Sequence, residues 1–226
     1  MVDLDPQGNA TMGSGVDKNQ LRRSIYDVLS GHCDAASAIT RSESSGFDII
    51  PSNSDLTAAE VELLSASNKE RRLKDALAPL VDSYDFIIID CPPSLSMLTV
   101  NALVAAQSVL IPMQCEYYAL EGLTALVKTI DGVSRSINPE LKIEGLLRTM
   151  YDPRNSLSKD VSRQLIAHFG DRVYHTVIPR NVRLAEAPSY GAPALVYDRK
   201  SRGALAYLAL AGEVLRKSRT ASAVAV

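Results

Sequence analysis

The stretch "YDFIIIDCPPS" at residues 84–94 is the strongest indication of the fold. Its apolar run, from Phe86 to Ile89, lacks the polar alternation of a half-exposed strand, which predicts a strand buried on both faces. Such strands are typical of parallel sheets that are covered by helices on both sides. Asp90 follows the run directly, and ligands of open parallel sheets bind beyond the carboxyl ends of the strands. This acidic residue is therefore a candidate site residue.

Strand and helix patterns alternate through the rest of the chain. Further strands are predicted at residues 47–51, 108–113 and 142–151. Apolar residues at helical spacing predict helices at residues 68–81, 96–106, 118–130, 157–169 and 201–217. The pattern predicts an α/β fold, with a mostly parallel twisted sheet and helices on both faces. We expect a single domain over residues 1–226, with a frayed tail at 218–226.

The composition is that of an ordinary globular protein. Of the 226 residues, 46% are hydrophobic and 22% are charged, so the chain can bury a large core. The net charge of −2 argues against a generally basic nucleic-acid-binding protein, but it does not exclude a local basic patch.

The cysteine spacing and the apolar segments indicate the cellular compartment. Cys33, Cys91 and Cys115 form no CxxC pair, which argues against a zinc ribbon and against a disulfide framework. The sequence has no signal peptide and no run of about 18 apolar residues. We therefore expect a cytoplasmic protein that does not enter a membrane.

Two acidic motifs are candidates for nucleotide chemistry. Val2 precedes Asp3 and Asp5 in "VDLDPQGNAT", which looks like the end of a buried strand followed by a turn. Apolar residues followed by Asp90 match the second acidic motif of P-loop hydrolases, whose Asp holds Mg²⁺, often through water. Each residue also has a plain alternative: Asp90 could cap the next helix, and Asp5 could form the turn.

Three motifs in this order identify a family. They are "DLDPQGNAT" at 3–11, "IIIDCPPSLSMLTVNAL" at 87–103, and "VIPRNVRLAEAPSYGAPALVYDRKSRGALAYLALAGEV" at 177–214. With them the chain resembles the ParA/Soj chromosome- and plasmid-partitioning ATPases, a branch of the deviant Walker A group within the MinD/ParA superfamily. The resemblance covers nearly the whole chain, and its last motif is the most specific.

The resemblance implies roles for the acidic residues. Asp5 matches the catalytic Asp that supports ATP hydrolysis. Asp90 and Asp3 match the residues near the magnesium ion. Pro92 and Pro93 begin the switch segment that senses the γ-phosphate.

The resemblance also implies nucleotide contacts, DNA contacts and partners. Pro179 and Asn181 would pass near the adenine, whereas the alternative for Pro179 is a strand terminator. Arg154 and Arg183 stand at DNA-contacting positions, and Arg202 lies in the same locally basic part. Neighbouring basic residues there are Arg148, Arg163, Arg180, Arg199 and Lys200. Family members form ATP-dependent homodimers, bind nucleoid DNA without sequence preference, and respond to a ParB/Spo0J-type protein.

The chain departs from the family in one respect. Family members begin with a strand and a loop of the form KGGVGKTT, which is not found between Met1 and Val226. We expect that the first strand, the phosphate loop and the first helix are missing. Either the start codon was assigned too far downstream or the chain is a shortened paralogue. Binding of ATP and Mg²⁺ by this chain alone is therefore expected to be poor.

Two other functions stay open. One is a non-enzymatic ParA-like adaptor that keeps the dimer and DNA surfaces but cannot bind ATP. The other is a septum-placement ATPase of the MinD type, which would need a C-terminal amphipathic membrane helix. The C-terminal stretch "RKSRTASAVAV" at 216–226 is short and shows no such stripe.

Overall fold

A computed structural model describes residues 1–116 and 119–224. Its strands are β1 (Val2–Asp3), β2 (Thr40–Arg41), β3 (Asp48–Ile49), β4 (Ile89–Asp90), β5 (Ser108–Gln114), β6 (Lys142–Tyr151) and β7 (Val173–Pro179). Its α-helices are α1 (Asn9–Gly13), α2 (Ile25–Ser30), α3 (Leu56–Ser65), α4 (Arg72–Leu77), α5 (Met97–Ala105), α6 (Ala119–Ser136), α7 (Ser156–Phe169), α8 (Val182–Glu186), α9 (Ala194–Tyr197) and α10 (Arg202–Val224). Short 3-10 helices lie at Ala36–Ala38, Ala78–Ser83, Gly170–Arg172 and Ala187–Tyr190.

The chain divides into two compact units, which are described separately. Unit 1 comprises Met1–Ser108, Thr129–Lys142 and Pro188–Pro193. Unit 2 comprises Val109–Lys128, Ile143–Ala187 and Ala194–Val226.

Unit 1 is built around β1. This strand pairs in parallel with β4, so that Asp3 lies opposite Asp90. On its other side, Val2 forms a parallel bridge with Ile50, next to β3, and β3 pairs antiparallel with β2. The core of the unit includes Leu4, which is fully buried. The parallel pairing places the carboxyl ends of β1 and β4 at one edge.

Unit 2 contains a sheet in the order β5-β6-β7. Strands β6 and β7 are parallel, and Tyr151 at the end of β6 lies opposite Pro179 at the end of β7. The helix α10 packs against β7, and its Leu210 joins Leu147 and Ile178 in the core. The carboxyl ends of these two strands therefore also share one edge.

The predicted α/β architecture with a parallel sheet and helices is confirmed. The strand β6 has the predicted bounds, and β5 extends one residue beyond them. The helix predicted at 201–217 begins at Arg202 and continues to Val224, so the predicted tail is helical up to that residue. Residue 118, predicted as the start of a helix, lies outside the described residues.

One expectation about burial is wrong. The stretch from Phe86 to Ile89 was predicted to be buried on both faces, but Phe86 is 52% and Ile88 is 65% exposed. Only the alternate residues Ile87 and Ile89 pack against the core, and the regular strand β4 is limited to Ile89–Asp90.

Candidate functional site

Asp3 is the most enclosed carboxylate of the candidate site. It is fully buried at the end of β1. One oxygen, Oδ2, accepts hydrogen bonds from the backbone N–H of Thr11 at 2.7 Å and from its hydroxyl at 2.6 Å. The other, Oδ1, accepts from the backbone N–H of Asp5 at 3.2 Å. Burial raises the pKa of Asp3, and the bonds from Thr11 oppose that rise.

The turn after β1 fixes Asp5. Its Oδ1 accepts from the backbone N–H of Gln7 at 2.9 Å, and its carbonyl accepts from the Ser52 hydroxyl at 2.8 Å. Gly8 has φ +60°, and a Cβ at this position would lie 2.6 Å from the Ser52 carbonyl oxygen, so only glycine fits. Within the described part of the chain, no donor is bonded to Oδ2 of Asp5, and this oxygen remains available to water.

Asp90 completes a group of three carboxylates in unit 1. Partial burial of its carboxyl group, followed by the negative charges of Asp3 and Asp5, raises the pKa of Asp90 to about 6. Solvent still reaches the residue, so a hydrated cation could approach it. In residues 1–116 and 119–224, no three acidic, histidine or cysteine side chains are arranged to bind a metal directly. An ion here would be held largely through water.

The segment after Asp90 is a loop without regular structure. Pro92 is half-buried and Pro93 is exposed. The loop is tied to α5 where the Thr99 hydroxyl donates to the Ser94 carbonyl at 2.6 Å, and the Ser96 hydroxyl caps that helix. The predicted switch residues therefore lie on an exposed segment with a fixed end.

Two predicted DNA-contacting arginines follow neighbouring strand ends of unit 2. Arg154 follows β6, and its side chain is 89% exposed. Its Nε and Nη2 donate to the two oxygens of Asp152 at 3.0 and 2.9 Å, and these bonds lower the pKa of Asp152 to about 2. Arg183 follows β7 and donates to Glu186 at 2.9 Å, with Asp198 at 3.4 Å. Each guanidinium group is therefore held in place by a carboxylate.

The predicted nucleotide contacts belong to the same segment as Arg183. Pro179 is the last residue of β7. The Asn181 side chain accepts from the backbone N–H of Arg183 at 2.9 Å and so caps α8. Arg202 is exposed at the start of α10.

Arg148 does not belong to a basic surface, contrary to the sequence-based expectation. Only 9% of it is exposed. Its guanidinium group donates to the Ser162 hydroxyl at 2.9 Å and to the Tyr174 and His175 carbonyls at 2.9 and 3.2 Å. The reason is a register irregularity between β6 and β7, which leaves carbonyl groups that the buried arginine satisfies.

An AAA domain family matches residues 1–143 of the chain. The whole chain is 49% identical to the chromosome partitioning protein ParA of Caulobacter vibrioides and covers 85% of that protein. It is 50% identical to the sporulation initiation inhibitor protein Soj of Bacillus subtilis, over 95% of this chain and 85% of Soj. The chain belongs to the ParA/Soj family.

A solved structure supports the ParA/Soj fold. Cobyrinic acid a,c-diamide synthase from Mycobacterium smegmatis, with bound ATP analog and magnesium, superposes with a TM-score of 0.84. It is 38% identical, over 97% of this chain and 82% of the synthase. An ATP analog and magnesium are thus bound by a protein with this fold.

Three further findings complete the description of this ParA/Soj family member. Cys33, Cys91 and Cys115 are free thiols. Among the described residues, no helix is long and apolar enough to cross a membrane. Sequence reasoning missed Thr11 and Ser52, which hold Asp3 and Asp5 in place, because nothing in the sequence shows that residues 41 positions apart are hydrogen-bonded.

Proposed function

We propose that this protein is a partition ATPase that couples ATP hydrolysis to reversible binding of DNA. The observation that supports this most strongly is the placement of Asp3, Asp5 and Asp90 at the adjacent ends of two parallel strands. Their mutual repulsion, in a member of the ParA/Soj family, is best relieved by a cation next to a polyphosphate.

Asp5 is proposed as the residue that positions the attacking water. Its Oδ1 is fixed by the backbone N–H of Gln7, whereas Oδ2 has no bonded donor among the described residues. A carboxylate held by one oxygen can accept a hydrogen bond from water with the other and so orient it toward the terminal phosphate of ATP.

Asp90, with Asp3 behind it, is proposed as the magnesium site. Both oxygens of Asp3 are already hydrogen-bonded, so it contributes negative charge and position, while the accessible Asp90 faces the hydrated ion. Mg²⁺ typically retains several waters and needs only one or two carboxylates besides the substrate phosphates. The ion would neutralise charge on the phosphates.

The exposed loop that begins at Pro92 and Pro93 is proposed to sense the γ-phosphate and to transmit its presence to a homodimer interface. Pro179 and Asn181 are proposed to lie beside the adenine. Asn181 already caps α8, so its backbone position is set before nucleotide binds.

Arg154, Arg183 and Arg202 are proposed to contact DNA phosphates. Arg154 and Arg183 follow the ends of adjacent parallel strands, which places them at one edge of unit 2. A few phosphate contacts give weak binding that is independent of sequence and sensitive to salt. A ParB/Spo0J-type partner is proposed to stimulate hydrolysis, with the protein located on the nucleoid in the cytoplasm.

The test is the ATPase activity of a form that carries a phosphate-binding loop before β1. Phosphate release is measured alone, with duplex DNA, and with DNA plus the ParB-type protein of the same genome. We expect slow release alone and the largest stimulation with both additions. Equal rates under all conditions would contradict a partition function.

A further inference from the structure

A second cleft in unit 1 lies outside the carboxylate site. It is lined by Val16, Asp17, Gln20 to Arg23, and Ser37 to Thr40. Its volume of about 770 Å³ falls in the range of ligand-binding clefts. None of its residues has a role in the proposed function, so a ligand here would serve a separate purpose.

The cleft presents hydrogen-bond donors that the protein does not use. Arg22 and Arg23 are both exposed, and among the described residues neither has a carboxylate within salt-bridge distance. Within the described ranges, the one hydrogen bond that their side chains make runs from Nη1 of Arg23 to the Ser37 carbonyl, at 3.5 Å. Each guanidinium group has five N–H donors, so most of them face the cleft or solvent. The cleft is therefore suited to a ligand rich in acceptors.

The acidic side chains near the cleft are already bonded. Asp17 accepts from the backbone and side-chain N–H groups of Asn19 at 2.9 and 3.0 Å, and from the Gln20 amide at 2.9 Å. Asp34, next to the lining, accepts from the Ser37 N–H and hydroxyl at 2.7 and 2.8 Å. These bonds, and then the charge of Arg23, lower the pKa of Asp34. These bonds leave both carboxylates charged, but the lining, with Arg22 and Arg23 against Asp17, still carries a net charge of +1 and so attracts an anion.

The rest of the lining favours a peptide over a nucleic acid. Val16, Leu21 and Ile39 add half-buried apolar surface, and the lining contains no aromatic ring on which a base could stack. The cleft also runs beside β2, which pairs with β3 on one edge only among the described strands. A free strand edge next to a cleft can accept an extended peptide.

We propose that this cleft binds an extended segment of a partner protein, with carboxylate side chains on either side of an apolar one. The carboxylates pair with Arg22 and Arg23, since a guanidinium group matches a carboxylate with two parallel hydrogen bonds. The apolar side chain lies against Leu21 and Ile39. This site does not depend on ATP or on Asp5, so it stands or fails independently of the proposed function.

The test uses fluorescence anisotropy with a labelled peptide, Gly-Glu-Leu-Glu-Val-Glu-Gly, and the 226-residue chain. The control peptide has Gln in place of each Glu. We expect the acidic peptide to bind and the Gln peptide to bind at least 10-fold more weakly. The double variant Arg22→Gln with Arg23→Gln should lose about 10- to 100-fold in affinity, the equivalent of one charged hydrogen-bonded pair. The matched control is Arg71→Gln, an exposed arginine outside the lining, which should bind as the wild type does.

A thermal melt of each variant shows whether it is folded. Arg22→Lys combined with Arg23→Lys should regain only part of the affinity, because lysine restores the charge but not the two parallel hydrogen bonds of a guanidinium group. Equal binding of the two peptides would overturn the proposal. So would wild-type affinity in the double Gln variant, or binding by the lysine pair as weak as that of the Gln pair. Duplex DNA that displaces the peptide at lower concentration than unlabelled peptide does would assign the cleft to nucleic acid instead.

Discussion

Thr11 donates both its backbone N–H and its hydroxyl to one oxygen of Asp3, at 2.7 and 2.6 Å. The same hydroxyl accepts from the backbone N–H of Ser52 at 2.9 Å. Asp3, Thr11 and Ser52 are all fully buried, so water does not compete for these hydrogen bonds. The first acidic motif is thus tied to α1 and to the segment after β3.

Thr11→Val should destabilise unit 1 without a change in side-chain volume. The variant leaves the Ser52 N–H without a partner and removes one bond from a buried carboxylate. We expect a loss of about 1–3 kcal/mol in the free energy of unfolding, measured by urea denaturation. Thr57→Val, at an exposed position in α3, is the control and should change stability by less than about 0.5 kcal/mol. Equal losses of unfolding free energy in the two variants would contradict a stabilising role for the hydrogen bonds of the Thr11 hydroxyl.

The raised pKa of Asp90 predicts a specific dependence of stability on pH. Because the folded-state pKa of about 6 exceeds the ordinary value of 3.8, the folded protein binds this proton more tightly than the unfolded chain. Stability attributable to this group therefore falls as pH rises from about 4 to 6 and stays low above that range. Asp90→Asn should melt at a higher temperature than wild type at pH 7.5, and the difference should shrink toward pH 4. Asp85→Asn, at an exposed position, is the control. A pH-independent difference would contradict crowding of the carboxylates.

Because Arg154 pairs with Asp152, substitutions of these two residues should have opposite effects on DNA binding. Arg154→Glu should weaken ATP-dependent binding to all sequences alike and reduce the salt slope by about 1, because a phosphate contact is lost. Arg183→Glu should do the same, and ATP hydrolysis without DNA should survive in both. Asp152→Asn should tighten binding, since it removes a negative charge and frees the guanidinium group.

These affinities are measured by filter binding in a form that contains a phosphate-binding loop, across a series of salt concentrations. Arg71→Glu, which makes the same change of two charge units at an exposed position elsewhere, is the control. If neither Arg154→Glu nor Arg183→Glu shifts the binding curve, the DNA surface lies on other residues.

The 226 residues alone are predicted to bind Mg·ATP poorly. A phosphate loop supplies a row of backbone N–H groups, a Lys and a hydroxyl to the phosphates and Mg²⁺. No Gly-Lys-Ser/Thr sequence occurs between Met1 and Val226, and Asp3, Asp5 and Asp90 repel a triphosphate when no cation is held between them. Calorimetric titration should show no binding in the micromolar range. A micromolar dissociation constant, together with a melting temperature raised by nucleotide, would contradict this prediction and place the phosphates on other groups.

The sequence predicted where strands end better than it predicted the side-chain contacts between distant segments. The position of Asp90 at a strand end followed from the apolar run before it, and that of Asp3 from the turn that follows it; β6 has the predicted bounds. The inward orientation of Arg148 could not be predicted, because the irregularity between β6 and β7 that it satisfies depends on pairing between distant segments. The same holds for Glu213, buried in α10, which accepts from the backbone N–H groups of His175 and Thr176.

The central claim is that Asp5 positions the water that attacks ATP. The most direct test is phosphate release by Asp5→Ala in a form that carries the phosphate-binding loop, with DNA and the ParB-type partner present. Binding of a fluorescent ATP analogue is followed in parallel. We predict that the variant binds nucleotide with wild-type affinity and loses stimulated hydrolysis, because the phosphate and magnesium contacts remain while the water is no longer oriented. Undiminished stimulated hydrolysis in the Asp5→Ala variant would contradict the assignment.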